Sequence, residues 1–183
     1  MAADAERSIP TRRMLLEPQR AAHAEAMFAL LADPALYLHE NAPPASLGAL
    51  RDRFTRLEAR QSADGSEGWL NWVLRLHGGR VVGTVQATVQ ADGSAWVAYV
   101  LGSVHWGQGL ASEAVAAMID VLVAQHGVHT LRAVYKRSNA PSIRLLQRLG
   151  FVRADADDPL RADIEGDEDL MWRRVAATVR GCV

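Results

Sequence analysis

The stretch HWGQGLASEA, residues 105–114, sits where a strand pattern stops and a helical one starts. Gly107 and Gly109 stand one residue apart, and Ser112 follows as an apolar repeat begins. A strand that ends in a glycine turn and opens a helix is a ready anion cradle. Glycine lets the backbone approach a phosphate closely, the first helical amides lack partners, and the helix dipole favours negative charge there. The alternative is a turn that only redirects the chain. On the two glycines alone the readings stand level.

The neighbours of this turn define the architecture. Downstream, Leu110, Ala114, Val115, Met118, Ile119, Leu122 and Val123 recur at the helical period, and Gly127 suits the position just past the helix end. HTLRAVY (129–135) then reads as a strand, parallel to the one before the helix if the unit is a crossover. Upstream lie three strand patterns: WLNWVLRL (69–76), RVVGTVQATVQ (80–90) and AWVAYVLG (95–102). Val81, Val85, Ala87 and Val89 alternate in the second, and short turns such as Asp92-Gly93 make the three antiparallel. Trp69, Trp72 and Trp96 on these strands read as core.

The ends of the chain fit the same plan. TRRMLLEP (11–18) is a strand ended by proline. A helix follows with Ala22, Ala26, Ala29 and Leu30 on one face, stopped by Pro34. Ser46 caps a second helix to about Arg60, with Leu47, Leu50, Phe54 and Leu57 on one stripe. NAPSIRLLQRLG (139–150) is a short helix with Asn139 near the cap, Pro141 in the first turn and Gly150 at the end. FVRAD and EDLMWRRVA are further strands. No repeat or linker divides the 183 residues, so one domain over 1–183 is expected.

Composition excludes several classes. The formal net charge of -1 offers no basic field for nucleic acid or an anionic membrane. Cys182 is the single cysteine, so an intrachain disulfide or a cysteine metal site is ruled out. MAADAERSIP lacks the apolar core of a signal peptide, no run spans a bilayer, and a cytoplasmic location is expected.

Three phosphate-binding designs compete for the glycine turn. A Walker-type loop needs a lysine after its last glycine, but Leu110 follows Gly109 and the one lysine is Lys136. A dinucleotide fingerprint wants a third glycine where Ser112 stands, and an acidic residue where Lys136-Arg137 stand. The third design is the pyrophosphate loop of the GNAT acetyltransferases. Trp106 through Gly109 to Ala111 resembles its Arg/Gln-x-x-Gly-x-Gly/Ala signature, with Trp106 in the leading place. About thirty residues on, NAPSIRLLQRLGF (139–151) resembles the family's second motif. The N-terminal RMLLEPQRAAHAEAMFALLADPALY is similar to the entry of the Rim-type branch, the ribosomal-protein N-terminal acetyltransferases and their relatives. The resemblance covers roughly Thr11 to Val175.

The resemblance implies an α/β (α+β) GNAT fold: a mixed, mostly antiparallel sheet with a splayed parallel strand pair and helices on both faces. It implies transfer of acetyl from acetyl-CoA to a primary amine by direct attack, with no metal. Gly107, Gln108, Gly109, Leu110, Ala111 and Ser112 would cradle the pyrophosphate. Leu101, Gly102 and Ser103 would pair with the pantetheine arm, and Asn139 would hold that arm or a water beside it. The tyrosine that many members use as general acid falls at Leu146, which carries no proton to give. Ser142, four residues earlier on the same helical face, is the first substitute, with Tyr99 and Tyr135 next. Glu40, then His39, are the candidate bases in the stretch after the first helix. Glu113 is accounted for by the helix dipole. His77 and His105 read as surface residues, and His126 and His129 as helix-end residues. A non-catalytic acetyl-CoA-binding module is the alternative.

Asp155 to Asp169 carries eight acidic residues in fifteen. It reads as a solvated loop or as an acidic lip that attracts a cationic acceptor. The expected acceptor is a protein N-terminus or a small cationic amine, the expected state a monomer or homodimer, and neither nucleic acid nor membrane is an expected partner.

Overall fold

The computed structural model describes residues 7–38, 42–164 and 166–175. Eight strands form one sheet: β1 (Ile9–Pro10), β2 (Met14–Pro18), β3 (Glu67–Leu76), β4 (Val81–Gln90), β5 (Ser94–Leu101), β6 (Thr130–Lys136), β7 (Val152–Arg153) and β8 (Glu168–Arg174). Their order across the sheet is β1-β2-β3-β4-β5-β6-β8-β7, antiparallel at every step except β5 to β6. Among the described residues, four α-helices join them: α1 (Ala24–Leu31), α2 (Leu47–Leu57), α3 (Leu110–His126) and α4 (Ala140–Arg148). The antiparallel meander, the single crossover and the terminal strands follow the sequence pattern, and β1 is an addition to it. No helix among the described residues is long and apolar enough to cross a membrane.

The strands bury both faces. Leu70, Trp72 and Leu74 alternate into the core that α3 covers, whose stripe is Leu110, Ala114, Val115, Met118, Ile119 and Leu122. Val73 points to the opposite face and meets Ala24 and Met27 of α1 and Leu50 and Phe54 of α2. The α2 stripe lies as its spacing predicts, and Ser46 Oγ accepts the Ala49 amide at 3.0 Å. The α1 stripe does not. Ala22, Ala26 and Ala29 are exposed, while Ala24 and Met27 are buried. Residues 21–23 form a separate 3₁₀ turn, which shifts the phase of the helix. The larger Met27 then takes the core, since an alanine stripe buries little area.

Two local features correct the strand reading. The register of β3 against β4 shifts between Leu74 and Arg75, leaving Val82 as an extra residue. This bulge turns Val82 into the α3-side core with Val85 and Ala87, and sends Val81 to the α1–α2 side. Next to it, a Cβ on Gly83 would sit 2.2 Å from the Val100 carbonyl oxygen, so only glycine allows β5 to run this close. Of the three tryptophans read as core, Trp72 is buried, whereas Trp69 and Trp96 are half-buried. Trp69 donates to Glu67 at 3.0 Å, and Trp96 lies beneath the Arg132 guanidinium.

The parallel pair is short. β5 meets β6 at Ser94↔Thr130, Ala95↔Leu131 and Trp96↔Arg132. Beyond Trp96, β5 stays on β4 up to Leu101↔Gly83, and β6 stays on β8 up to Lys136↔Glu168. The two strands therefore splay and leave a wedge inside the sheet.

Candidate functional site

The turn after β5 opens at the mouth of this wedge. Gly107 and Gly109 have φ of 72° and 74°, in the left-handed region that disfavours a side chain. Gly109 caps α3, whose first backbone bond runs from the Glu113 amide to the Gly109 carbonyl at 3.1 Å. The amides of Leu110, Ala111 and Ser112 precede that bond, so the helix supplies them with no acceptor. They point their partial positive charge out of the N-terminus of a 17-residue helix.

A brace from the sheet edge holds this turn. Glu113 Oε1 accepts the Arg13 amide at 2.8 Å and the Thr11 hydroxyl at 2.7 Å, and Oε2 accepts Arg13 Nε at 2.6 Å. The same guanidinium donates through Nη1 to the Gln108 carbonyl at 2.8 Å. Burial pushes the Glu113 carboxyl up, but the bonds from Thr11 and Arg13 outweigh it and hold its pKa below the ordinary 4.5. The helix dipole alone does not account for this residue. It ties α3 to a turn 100 residues away, a contact without local trace in the sequence.

A cleft of about 310 Å³ runs from the glycine turn into the wedge. Leu101, Gly107, Gly109, Leu110, Ala111, Ser112, Asn139 and Ser142, all expected at the site from the sequence, line it together with Tyr99. Gly102, Ser103 and Gln108 do not. The Gly102 amide is used by the Val82 carbonyl, and the Ser103 hydroxyl by Asp33. Gln108 Nε2 folds back on the Val104 carbonyl at 3.1 Å. The alternation of ladder bonds from Gly102–Val82 turns the amides and carbonyls of Val97, Tyr99 and Leu101 toward β6 instead. The strand edge facing the wedge is thus 97–101 rather than 101–103. The Leu101 carbonyl accepts the Trp106 indole at 2.7 Å, so Trp106 braces the turn.

His105, read as a surface residue, also lines the cleft. So do Arg144 and Arg148, which sequence reading missed. Their spacing of four on α4 is the signal that puts both on one face.

The candidate proton donors divide. Tyr99 Oη and Ser142 Oγ lie 2.7 Å apart, joining β5 to the first turn of α4. Asn139 Oδ1 caps that turn through the Ser142 amide at 3.1 Å. Leu146 is buried in the core. Tyr135 belongs elsewhere: it is buried beside Asp169, and burial together with that negative charge raises its pKa. Asp169 itself, 1% exposed, pairs with Arg153 at 2.6 Å, Arg161 at 2.8 Å and Arg137 at 3.7 Å. This end of the acidic segment is an internal hub, and the segment's described residues line neither the cleft nor the cavity beside it. His39 and Glu40 lie outside the described residues.

That second cavity, about 390 Å³, lies between the sheet and the α1–α2 face. Leu36, Tyr99 and Val100 line both spaces, so they meet at the end of β5. Tyr37 and Ala42 to Pro44 line its outer wall.

Comparison with known proteins agrees with this fold. Residues 13–152 match the model of the acetyltransferase (GNAT) domain. The chain is 28% identical over 144 residues to an uncharacterized N-acetyltransferase, p20, of Bacillus licheniformis, covering 77% of this chain and 80% of the relative. Its fold is similar to RimJ of Mycobacterium smegmatis solved with CoA-disulfide, with a TM-score of 0.76 at 22% identity over 93% of this chain and 88% of the other. It is also similar to RimL, the ribosomal L7/L12 α-N-protein acetyltransferase solved with coenzyme A, with a TM-score of 0.76 at 16% identity over 93% and 99%. At these identities the two structures speak for the fold.

Proposed function

We propose, from the premise that this chain belongs to the GNAT acetyltransferase family and uses acetyl-CoA, that it acetylates the primary amine at a peptide N-terminus by direct attack. The observation that carries this reading is the junction of cleft and cavity at Tyr99 and Val100, on the strand edge that parts from β6. Donor and acceptor held in the two spaces would meet there.

The residues present fit the donor. The amides of Leu110, Ala111 and Ser112, opened by the left-handed Gly107 and Gly109, suit a pyrophosphate. Arg144 and Arg148 add positive charge along the same cleft. The Val97 carbonyl, both backbone groups of Tyr99 and the Leu101 amide offer an edge on which a pantetheine arm can lie as an added strand. Acetyl-CoA supplies an acyl group already activated as a thioester and a thiolate that leaves.

The remaining chemistry falls to side chains of this chain. Tyr99 holds a proton at Oη beside the junction and is our candidate acid. Phenols titrate near 10, close to thiols at about 8.5, whereas an aliphatic hydroxyl is a much weaker acid. Ser142, bonded to that oxygen, orients it. This reverses the sequence-based ranking of the two. Glu40 is our candidate base, acting through water on the incoming ammonium.

The test is free-thiol release from acetyl-CoA with peptides bearing a free or a blocked N-terminus, and mass spectrometry to place the acetyl group. Turnover on the free N-terminus alone is the expected result. Acetylation confined to lysine side chains, or cofactor binding without turnover on any amine, would overturn it.

A further inference from the structure

The acceptor cavity has a chemical character that the acidic 155–169 segment does not predict. Its walls are mostly apolar, with Met27, Leu50, Phe54 and Leu57 on the helical side. Among the described residues that line it, Arg53 is the single charged one. Arg53 stands exposed on α2, with no ion pair among the described residues. At the inner end, Gln19 follows β2 and is 4% exposed. Its backbone is fully engaged: the amide donates to the Asn71 carbonyl at 2.9 Å, and the carbonyl accepts Arg60 Nη2 at 2.8 Å. Gln19 lines the cavity, and among the described residues its buried side-chain Nε2 has no hydrogen-bond partner. A buried amide donor without an acceptor is costly, and a ligand oxygen would relieve it.

These features describe one kind of occupant, and the inference rests on the acetyltransferase reading above. The amine must sit at the Tyr99–Val100 junction to reach the donor. The apolar wall suits an apolar group, Gln19 a carbonyl oxygen and Arg53 a negative charge. We infer that the acceptor is a peptide N-terminus with an apolar first residue and an acidic residue close behind it, selected by Gln19 at a backbone carbonyl and by Arg53 at the acidic side chain. A volume of about 390 Å³ admits the first one or two residues and no folded surface. Polyamines and aminosugars are disfavoured. They offer nothing to the apolar wall and no negative charge to Arg53.

The test uses the full chain, acetyl-CoA and a matched set of short C-amidated peptides. These begin with Met-Glu, Met-Lys, Lys-Glu or Lys-Lys, with spermidine and free methionine as separate arms. At low salt the Met-Glu peptide should exceed Met-Lys in kcat/KM by about fivefold, the scale of one exposed ion pair, and the ratio should shrink as salt rises. Arg53→Glu should invert that ratio, and its exposed helical position makes it a safe substitution for folding. Gln19→Met, close in volume, should raise KM for the Met-first peptides by about tenfold, leaving kcat and acetyl-CoA affinity in place. A ratio near one in the unaltered protein, or one unmoved by Arg53→Glu, overturns the inference. So does a preference for spermidine or free methionine. In those cases thiol release on other amines would keep the acetyltransferase reading intact. Binding of acetyl-CoA with no turnover on any arm would overturn both.

Discussion

The pair Tyr99–Ser142 makes a quantitative demand. Only one of two hydroxyls 2.7 Å apart can be the proton source for a leaving thiolate, and the other positions it. If Tyr99 is the acid, Tyr99→Phe removes general-acid catalysis, about 10²- to 10⁴-fold in kcat. Ser142→Ala removes one neutral hydrogen bond to the phenol, about 1 kcal/mol, which is about fivefold. The Tyr99→Phe effect should therefore exceed the Ser142→Ala effect by at least about tenfold. The double variant should be no slower than Tyr99→Phe, because Ser142 acts through the phenol. Single-turnover thiol release measures the step, and calorimetry with acetyl-CoA checks that binding is unchanged. An acetyl donor with a more acidic leaving thiol needs less proton assistance, so the Tyr99→Phe deficit should narrow on it. A Tyr99→Phe enzyme within threefold of the unaltered one would refute the assignment, as would Ser142→Ala being the slower of the two.

Three other perturbations test the scaffold of the site. Gly109→Val forces a β-branched residue to φ near 74°, a strain of about 1–3 kcal/mol. Shifting the turn relieves it, so acetyl-CoA affinity should fall at least about tenfold with the circular dichroism spectrum retained; unchanged affinity would remove Gly109 from the cradle. Glu113→Gln keeps an acceptor but loses the charge facing Arg13, which should cost about 1–2 kcal/mol and lower Tm by a few degrees. The folded pKa of Glu113 lies below its ordinary 4.5, so its stabilisation is complete above about 4.5 and lost as pH falls through the folded value. The Tm gap between the two proteins should accordingly close in acid, and a gap that widened there would contradict the brace. Asp169→Asn removes the hub of three arginines. Arg137 and Arg153 are exposed enough to stay hydrated, which puts the cost at the low end for a broken buried pair, about 3 kcal/mol, or about 6–12 °C in Tm by scanning calorimetry. A Tm within 2 °C of the unaltered protein would show that the arginines do not depend on it.

Features carried by residues near one another in the chain were legible before any coordinates. The glycine turn at Gly107 and Gly109, Gly127 past the end of α3, the Ser46 and Asn139 caps and the α3 stripe each depend on a few consecutive positions. The α1 stripe was misread because alanines at helical spacing look like a face without supplying the area that decides burial. Val81 was misplaced because a bulge is invisible to a period of two. The strand edge that faces the wedge lies earlier in β5 than residues 101–103, because ladder parity depends on the Gly102–Val82 bond across to another strand.

By itself the sequence determined the order of elements, the glycine turn that opens α3 and the family that such a turn implies, since each rests on local backbone preference and on spacing along the chain. Tertiary structure alone decided how far β5 and β6 stay paired, that Glu113 is anchored to Arg13, that Asp169 is buried among arginines, and that Tyr99 rather than Tyr135 meets Ser142. Those outcomes depend on which distant side chains share a face and which charges find partners away from water. Leu146, which removes the usual proton donor, is a core residue of α4; the proton donor proposed in its stead comes from the far side of the cleft, on β5.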